Sequence, residues 1–236
     1  MKKTLLFTNI ITLIALLVIG YGLVHYRNLN IKNLNTCQYE LSMFDFHYKQ
    51  GPANYNIEML GNSFIRAVSW DSLLNRTDVV NRGISGERLK CICERTVYLK
   101  NSPAKICFIE GGINDLPSRS GNDVFNDYIN LVDSIKAQHK IPVINMVLYL
   151  SPLAGNKYPL RKDYKTINKT IQNINVKLKA YAVENNMDYI DLNKDLCDEH
   201  NPVLYDKYTL DGVHPNQAAY RIWARHIEDI LKKHNI

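Results

Sequence analysis

Glycine is sparse in this chain, 11 residues in 236, and it follows no three-residue repeat, so a collagen-like structure is excluded. Cysteine is sparse too. Five thiols are too few for a small disulfide scaffold, and an odd count leaves at least one unpaired. No sustained heptads support a coiled coil. No block of Lys or Arg stands out, and the net charge of +6 is mild, so nothing marks a nucleic-acid footprint. What is present is ordinary globular composition. Hydrophobic residues make up 46% and charged residues 22%, a mix that excludes wholesale disorder, and the chain is long enough for one sizeable core.

One long apolar run stands apart. Thr4 to Val24 carries no charge over 21 residues. As a helix it would be about 31 Å long, the thickness of a bilayer's hydrocarbon core. Lys2 and Lys3 precede it, and Arg27 and Lys32 follow. With the amino terminus these lean towards an N-terminus left in the cytoplasm. The run is longer than a usual signal-peptide core, and Val18-Ile19-Gly20 is a poor small-residue exit signal. Residues 1–27 are therefore expected to be a membrane anchor ahead of a cleaved signal peptide. Either way the bulk of the chain is expected outside the cytoplasmic membrane, secreted or periplasmic if the helix is removed. Residues 28–53 are Asn-rich and aperiodic and read as a linker. The folded domain is expected over 54–236.

Cys37, Cys91, Cys93, Cys107 and Cys197 read as small buried apolar side chains, and their odd number suits an oxidising compartment poorly. Cys91-Ile-Cys93 lacks the C-x-x-C spacing, and no second ligand pair follows, so no metal site is expected.

From residue 54 the chain alternates short apolar runs with amphipathic stretches. The runs Tyr55–Leu60, Val79–Val80, Ile106–Ile109, Ile141–Leu150 and Tyr189–Leu192 have strand length and end in turn residues. Helical spacing appears in Val124–Lys140, Tyr164–Asn185 and Asn216–His234, and Ile65–Leu74 reads as a shorter helix. Strand–helix alternation predicts an α/β fold with a parallel sheet covered on both faces. Ligands of such sheets lie at the carboxyl ends of the strands.

Four loops fall there. Gly61-Asn62-Ser63 follows the first strand. Ser63 is placed to be a nucleophile at a helix N-terminus, or simply to cap that helix, and Gly61 permits a tight turn. Asn81-Arg82-Gly83-Ile84-Ser85-Gly86-Glu87 follows the second strand, and Gly112-Ile113-Asn114-Asp115 the third. Asp211-Gly212-Val213-His214 precedes the last helix, where Asp211 is spaced to orient the His214 imidazole. Each loop alone is compatible with an ordinary turn. Together they supply what acyl transfer needs: a nucleophile in Ser63, a base in His214, an orienter in Asp211, and oxyanion donors in the Gly83 N–H and the Asn114 amide.

These four blocks resemble those of the GDSL-type SGNH hydrolases, in particular the platelet-activating-factor acetylhydrolase-like and lysophospholipase/thioesterase-like branches. The resemblance spans roughly residues 54 to 234. It implies a flavodoxin-like three-layer α/β/α sandwich with a five-stranded parallel sheet, hydrolysis of ester or thioester bonds, and neither metal nor organic cofactor. It adds the Ser63 N–H to the oxyanion hole. One position departs from the pattern: the family usually has Asp where this chain has Asn62.

The reading that follows is a serine esterase of short-chain, above all acetyl, esters on carbohydrate, acting through a covalent acyl-enzyme. Lysophospholipid or thioester hydrolysis, glycan O-acyl transfer and a non-catalytic binding module are the alternatives. Tyr158, Lys157 and Arg161, in the loop after the fourth strand, read as loop surface or as contacts to a sugar or anionic head group.

Overall fold

A computed structural model describes Gly20, Tyr21, Cys37, residues 54–198 and residues 201–236. The expected anchor and linker lie almost wholly outside these. Among the described residues no helix is long and apolar enough to cross a membrane.

Five parallel strands form one sheet: β1 Ile57–Gly61, β2 Val79–Gly83, β3 Ile106–Ile109, β4 Ile141–Asn145 and β5 Tyr189–Ile190. Their order is β2-β1-β3-β4-β5, the doubly wound flavodoxin-like order. Between β1 and β2 lie α1 (Ser63–Arg66) and α2 (Trp70–Leu74); α3 (Leu89–Glu94) and α4 (Gly121–Lys136) follow. Beyond β4 come α5 (Ala154–Lys157), α6 (Tyr164–Glu184), α7 (Asn193–Leu196) and α8 (Gln217–Lys233). Helix α4 packs against α3 and α6, while α2 packs against α8.

Every residue of β1 and β3 is buried, as expected of strands covered on both faces. The core joins Met59, Leu60, Phe108 and Ile109 to Tyr128, Leu131, Ile171, Trp223 and Ile227 of the helices. Strand β2 runs further than its two valines suggested, because Arg82 is buried against Glu58 of β1 at 3.3 Å.

The expected strand Ile141–Leu150 stops at Asn145. Met146 N–H still donates to Ile190 O at 2.9 Å; beyond it the chain leaves its neighbours, and buried Asn side chains replace the ladder. Asn175 accepts from Val147 N–H at 2.9 Å and donates to Val147 O at 2.8 Å. Asn168 does the same for Leu150, at 2.8 and 2.9 Å. Asn193 accepts from Tyr149 N–H at 3.0 Å. Buried backbone groups must be paired, and these amides pair them without a strand.

The expected helix Ile65–Leu74 is two helices. Asn81 Nδ2 donates to Ile65 O and Val68 O, both at 2.9 Å, and Trp70 Nε1 donates to Ile65 O at 2.8 Å. Carbonyls taken by side chains end the first helix. Of the longer helices α6 starts at Tyr164 as expected, while α4 starts three residues early and α8 one late, where Ser120 and Asn216 act as N-caps.

The reading of all five cysteines as buried thiols is corrected for two of them. Cys37 and Cys91 form a disulfide. Cys107 and Cys197 are buried free thiols, and Cys93 is half-buried. The partner of Cys91 lies far off in sequence, so local spacing carried no signal of it.

Candidate active site

Gly61 and Gly83 are paired at the carboxyl edge of β1 and β2. A Cβ on Gly61 would lie 2.5 Å from Glu110 O, and one on Gly83 would lie 2.2 Å from Arg66 N. Close approach of backbone, rather than the tight turn expected at Gly61, excludes larger residues here.

Asn62, not Ser63, is the N-cap of α1, and its Oδ1 accepts from Phe64 N–H at 2.8 Å. That leaves the Ser63 hydroxyl free for other work. Its Oγ lies 3.1 Å from His214 Nε2. His214 Nδ1 in turn lies 3.0 Å from Asp211 Oδ2 and 3.2 Å from Oδ1. The carboxylate is an acceptor only, so Nδ1 carries the proton and Nε2 presents its lone pair to Ser63. The edge of the Phe64 ring packs on the imidazole at 5.6 Å between centroids.

The Asp211–His214 loop is built to hold this geometry. Asp211 Oδ1 accepts from His214 N–H at 2.9 Å and from Val213 N–H at 3.1 Å. Thr209 Oγ1 donates to His214 O at 2.9 Å and accepts from Gly212 N–H at 2.9 Å. Burial alone would raise the Asp211 carboxyl. Hydrogen bonds from the His214 N–H, the Tyr158 hydroxyl, the His214 ring and the Val213 N–H outweigh it and hold the group well below the usual carboxylate range.

Tyr158 was not expected in this network. Its hydroxyl donates to Asp211 Oδ2 at 2.8 Å, and Lys157 Nζ approaches the same oxygen at 3.2 Å. The sequence held a weak trace of it, a Tyr flanked by cations in the loop after β4. Arg161, from the same loop, donates to Ile113 O at 3.3 Å and to Asn114 Oδ1 at 3.4 Å.

The expected oxyanion donors come from neighbouring loops. Asn114 Nδ2 donates to Glu87 O at 3.1 Å, which uses one of its two protons. The Gly83 N–H donates to Asn81 Oδ1 at 2.9 Å. A buried ion pair ties these loops to the nucleophile turn. Arg95 clasps Glu87 through Nε at 2.7 Å and Nη2 at 2.6 Å, and the same Nη2 donates to Gly61 O at 3.1 Å. Asp115 anchors the third loop by accepting from Leu89 N–H at 3.1 Å. Beside His214 opens a cavity of about 620 Å³ whose lining includes Val68, Leu73, Leu210, Pro215 and Tyr220. Among the described residues no group of His, Cys, Asp or Glu is arranged to hold a metal ion.

Over residues 54–222 the chain matches the GDSL-like lipase/acylhydrolase family. The chain belongs to that family. It is accordingly an ester hydrolase. No curated protein matches it. Among solved structures, it is similar to a GDSL-like lipase from Bacteroides thetaiotaomicron, with 22% identity and a TM-score of 0.65 over 75% of this chain and 88% of that one. It is also similar to an acetyl xylan esterase, with 20% identity and a TM-score of 0.57 over 75% and 99% of the two chains. A third is an acetyl-xylooligosaccharide esterase of Geobacillus, with 19% identity and a TM-score of 0.54 over 76% and 94%. At these identities the likeness is one of fold. Within this GDSL-like acylhydrolase, Asn62 remains the departure, and the structure gives it a partner: Nδ2 donates to the buried Glu110 carboxyl at 3.3 Å.

Proposed function

We infer that this acylhydrolase cleaves short-chain carboxylic esters, acetyl groups on carbohydrate first among them, with Ser63 as nucleophile, His214 as general base and Asp211 as its orienter. The observation that carries the reading is the relay Ser63 Oγ–His214 Nε2 at 3.1 Å and His214 Nδ1–Asp211 Oδ2 at 3.0 Å. Nε2 takes the Ser63 proton as Oγ attacks the ester carbonyl. The imidazolium is stabilised by Asp211 and then returns the proton to the departing alcohol. Water attacks the acyl-Ser63 ester with the same base, releasing the acid and restoring the hydroxyl. The oxyanion is met by the Ser63 N–H, the second Nδ2 proton of Asn114 and the Gly83 N–H, which shares or exchanges its bond to Asn81 Oδ1 as substrate binds.

Acetyl esters of glycans are supported by two structural neighbours named as acetyl xylan and acetyl-xylooligosaccharide esterases. An extracytoplasmic location, anchored through residues 1–27, is supported by the apolar run 4–24 and by the Cys37–Cys91 disulfide, since disulfides persist in oxidising compartments. A second reading, lysophospholipid hydrolysis, is favoured by one feature, the largely apolar cavity of about 620 Å³ beside His214. A panel of acetyl and long-chain p-nitrophenyl esters, acetylated xylan and lysophospholipid separates the two. Highest kcat/KM on acetylated xylan supports the first. Highest kcat/KM on lysophospholipid replaces it with the second. Loss of neither activity in Ser63→Ala would overturn both.

A further inference from the structure

Directly beneath the nucleophile turn sits a carboxyl group that the proposed reaction does not use. Glu110 is the residue after β3, and it is only 3% exposed. Its Oε1 receives Asn62 Nδ2 at 3.3 Å, and the Asn62 backbone N–H also faces the carboxyl. Its Oε2 is buried without a hydrogen-bond partner. Among the described residues no Lys or Arg acts on it. The ionisable neighbours that feel its charge are the buried phenols of Tyr128 and Tyr220.

Asn62 is wholly buried and has its two ends committed in opposite directions. The Oδ1 end caps Phe64 N–H, so it fixes the first turn of α1, and Ser63 is the residue between. The Nδ2 end is held by Glu110. An amide has one acceptor end and one donor end, which is what these two neighbours require. A carboxylate at position 62 would satisfy Phe64 N–H but would have nothing to donate to Glu110. The Glu110 carboxyl, which holds its own proton, would have to turn from acceptor to donor, and an O–H···O⁻ bond closes to about 2.5–2.7 Å, which would draw position 62 away from its 3.3 Å contact and from its cap.

We propose that Glu110 is a positioning residue for Ser63, acting through Asn62, and that positions 62 and 110 form a matched amide–acid pair. The pair should tolerate reversal, with the acid at 62 and the amide at 110. In that arrangement one oxygen of the introduced aspartate would cap Phe64 N–H, and the introduced glutamine amide would donate to the other. The pair should not tolerate two acids.

The proposal rests on the reading of Ser63 as nucleophile, and the test keeps the two apart. Asn62→Asp, Asn62→Asp/Glu110→Gln and Ser63→Ala would be compared on p-nitrophenyl acetate, with thermal unfolding of each. Asn62→Asp should lower kcat about 10- to 100-fold with KM changed less than about twofold, since a displaced nucleophile costs rate rather than binding. The double variant should recover to within about threefold of wild type. If Asn62→Asp fails to fold, recovery of a folded, active double variant supports the pair equally. Wild-type kcat in Asn62→Asp, or a double variant no better than the single one, would overturn the pair. Activity retained in Ser63→Ala would instead overturn the assignment of the nucleophile.

Discussion

The hydroxyl of Tyr158 lies 2.8 Å from Asp211 Oδ2 and 3.4 Å from His214 Nδ1, so Asp211 Oδ2 serves two side-chain donors where the relay requires one. Lys157 Nζ adds a third at 3.2 Å. Each donor draws on the carboxylate charge that would otherwise stabilise the His214 imidazolium. Tyr158→Phe removes the hydroxyl and keeps the ring. The charge of Asp211 is then left more fully to the imidazole, whose proton is held more tightly. The rising limb of the kcat/KM–pH profile should therefore move to higher pH, with the plateau rate changed less than about tenfold. A profile superimposable on wild type would mean that Tyr158 supports the loop and nothing more.

Glu110 should leave a mark on stability that is independent of any assay of activity. Burial raises its carboxyl from 4.5 to about 8, against the smaller opposing effect of the Asn62 backbone and side-chain donors. The native state thus holds a proton that the unfolded chain gives up near 4.5. The stability tied to this proton is fully present below pH 4.5 and is lost as pH rises to about 8, after which the loss is constant. The slope approaches about 1.4 kcal/mol per pH unit within that window. Burial keeps the phenols of Tyr128 and Tyr220 protonated there, so they contribute nothing to it. Glu110→Gln should remove this component. The difference in unfolding free energy between variant and wild type, measured by urea titration at about pH 5, 6.5 and 8, should grow steadily in favour of the variant. A constant difference would show that Glu110 does not titrate in this range.

The parallel sheet, its carboxyl edge and the residues of the relay were legible because each rests on local signals: apolar runs of strand length, glycines beside a Ser, and Asp three residues before His. What was not legible depends on partners distant in the chain. Nothing near Leu150 says that its backbone will be held by Asn168, or near Val147 that Asn175 will hold it. In retrospect the signal was on the helix. Asn168 and Asn175 sit seven apart on the same face as Ile167, Ile171, Ile174 and Leu178, and a polar residue on an apolar face implies a buried partner. Tyr158 and Glu110 were missed for the same reason. Their meaning lies in Asp211 and Asn62, which only the fold brings to them.

The Asn staples can be tested directly. Asn175→Leu keeps the volume and removes both hydrogen bonds to Val147. Asn193 Nδ2 still serves Val147 O at 3.1 Å, so the Val147 N–H is the group left orphaned. An unsatisfied buried donor costs about 1–3 kcal/mol, and the unfolding free energy should drop by that much. Because the same segment leads into the loop carrying Tyr158, activity should fall as well. An unchanged melting temperature would argue that another partner or water takes the place of Asn175.

Asn114 tests the oxyanion hole apart from the nucleophile. Its amide is oriented from both sides: Oδ1 accepts from Arg161 Nη2 at 3.4 Å, and Nδ2 donates to Glu87 O at 3.1 Å. That places the nitrogen, with one proton to spare, on the sheet edge that carries Ser63. A donor of this kind gains most when the carbonyl oxygen becomes an anion, so its loss should lower kcat and leave KM nearly unchanged. Asn114→Ala should cost about 10²–10³ in kcat, the effect typical of removing one oxyanion donor. The variant should remain folded and should still react with a fluorophosphonate probe, only more slowly. Asn114→Asp should be worse, because a carboxylate repels the developing charge even with Arg161 beside it. Retention of more than about a third of wild-type kcat by Asn114→Ala would leave Asn114 as a brace between Glu87 and Arg161, and the oxyanion would then depend on backbone N–H groups alone.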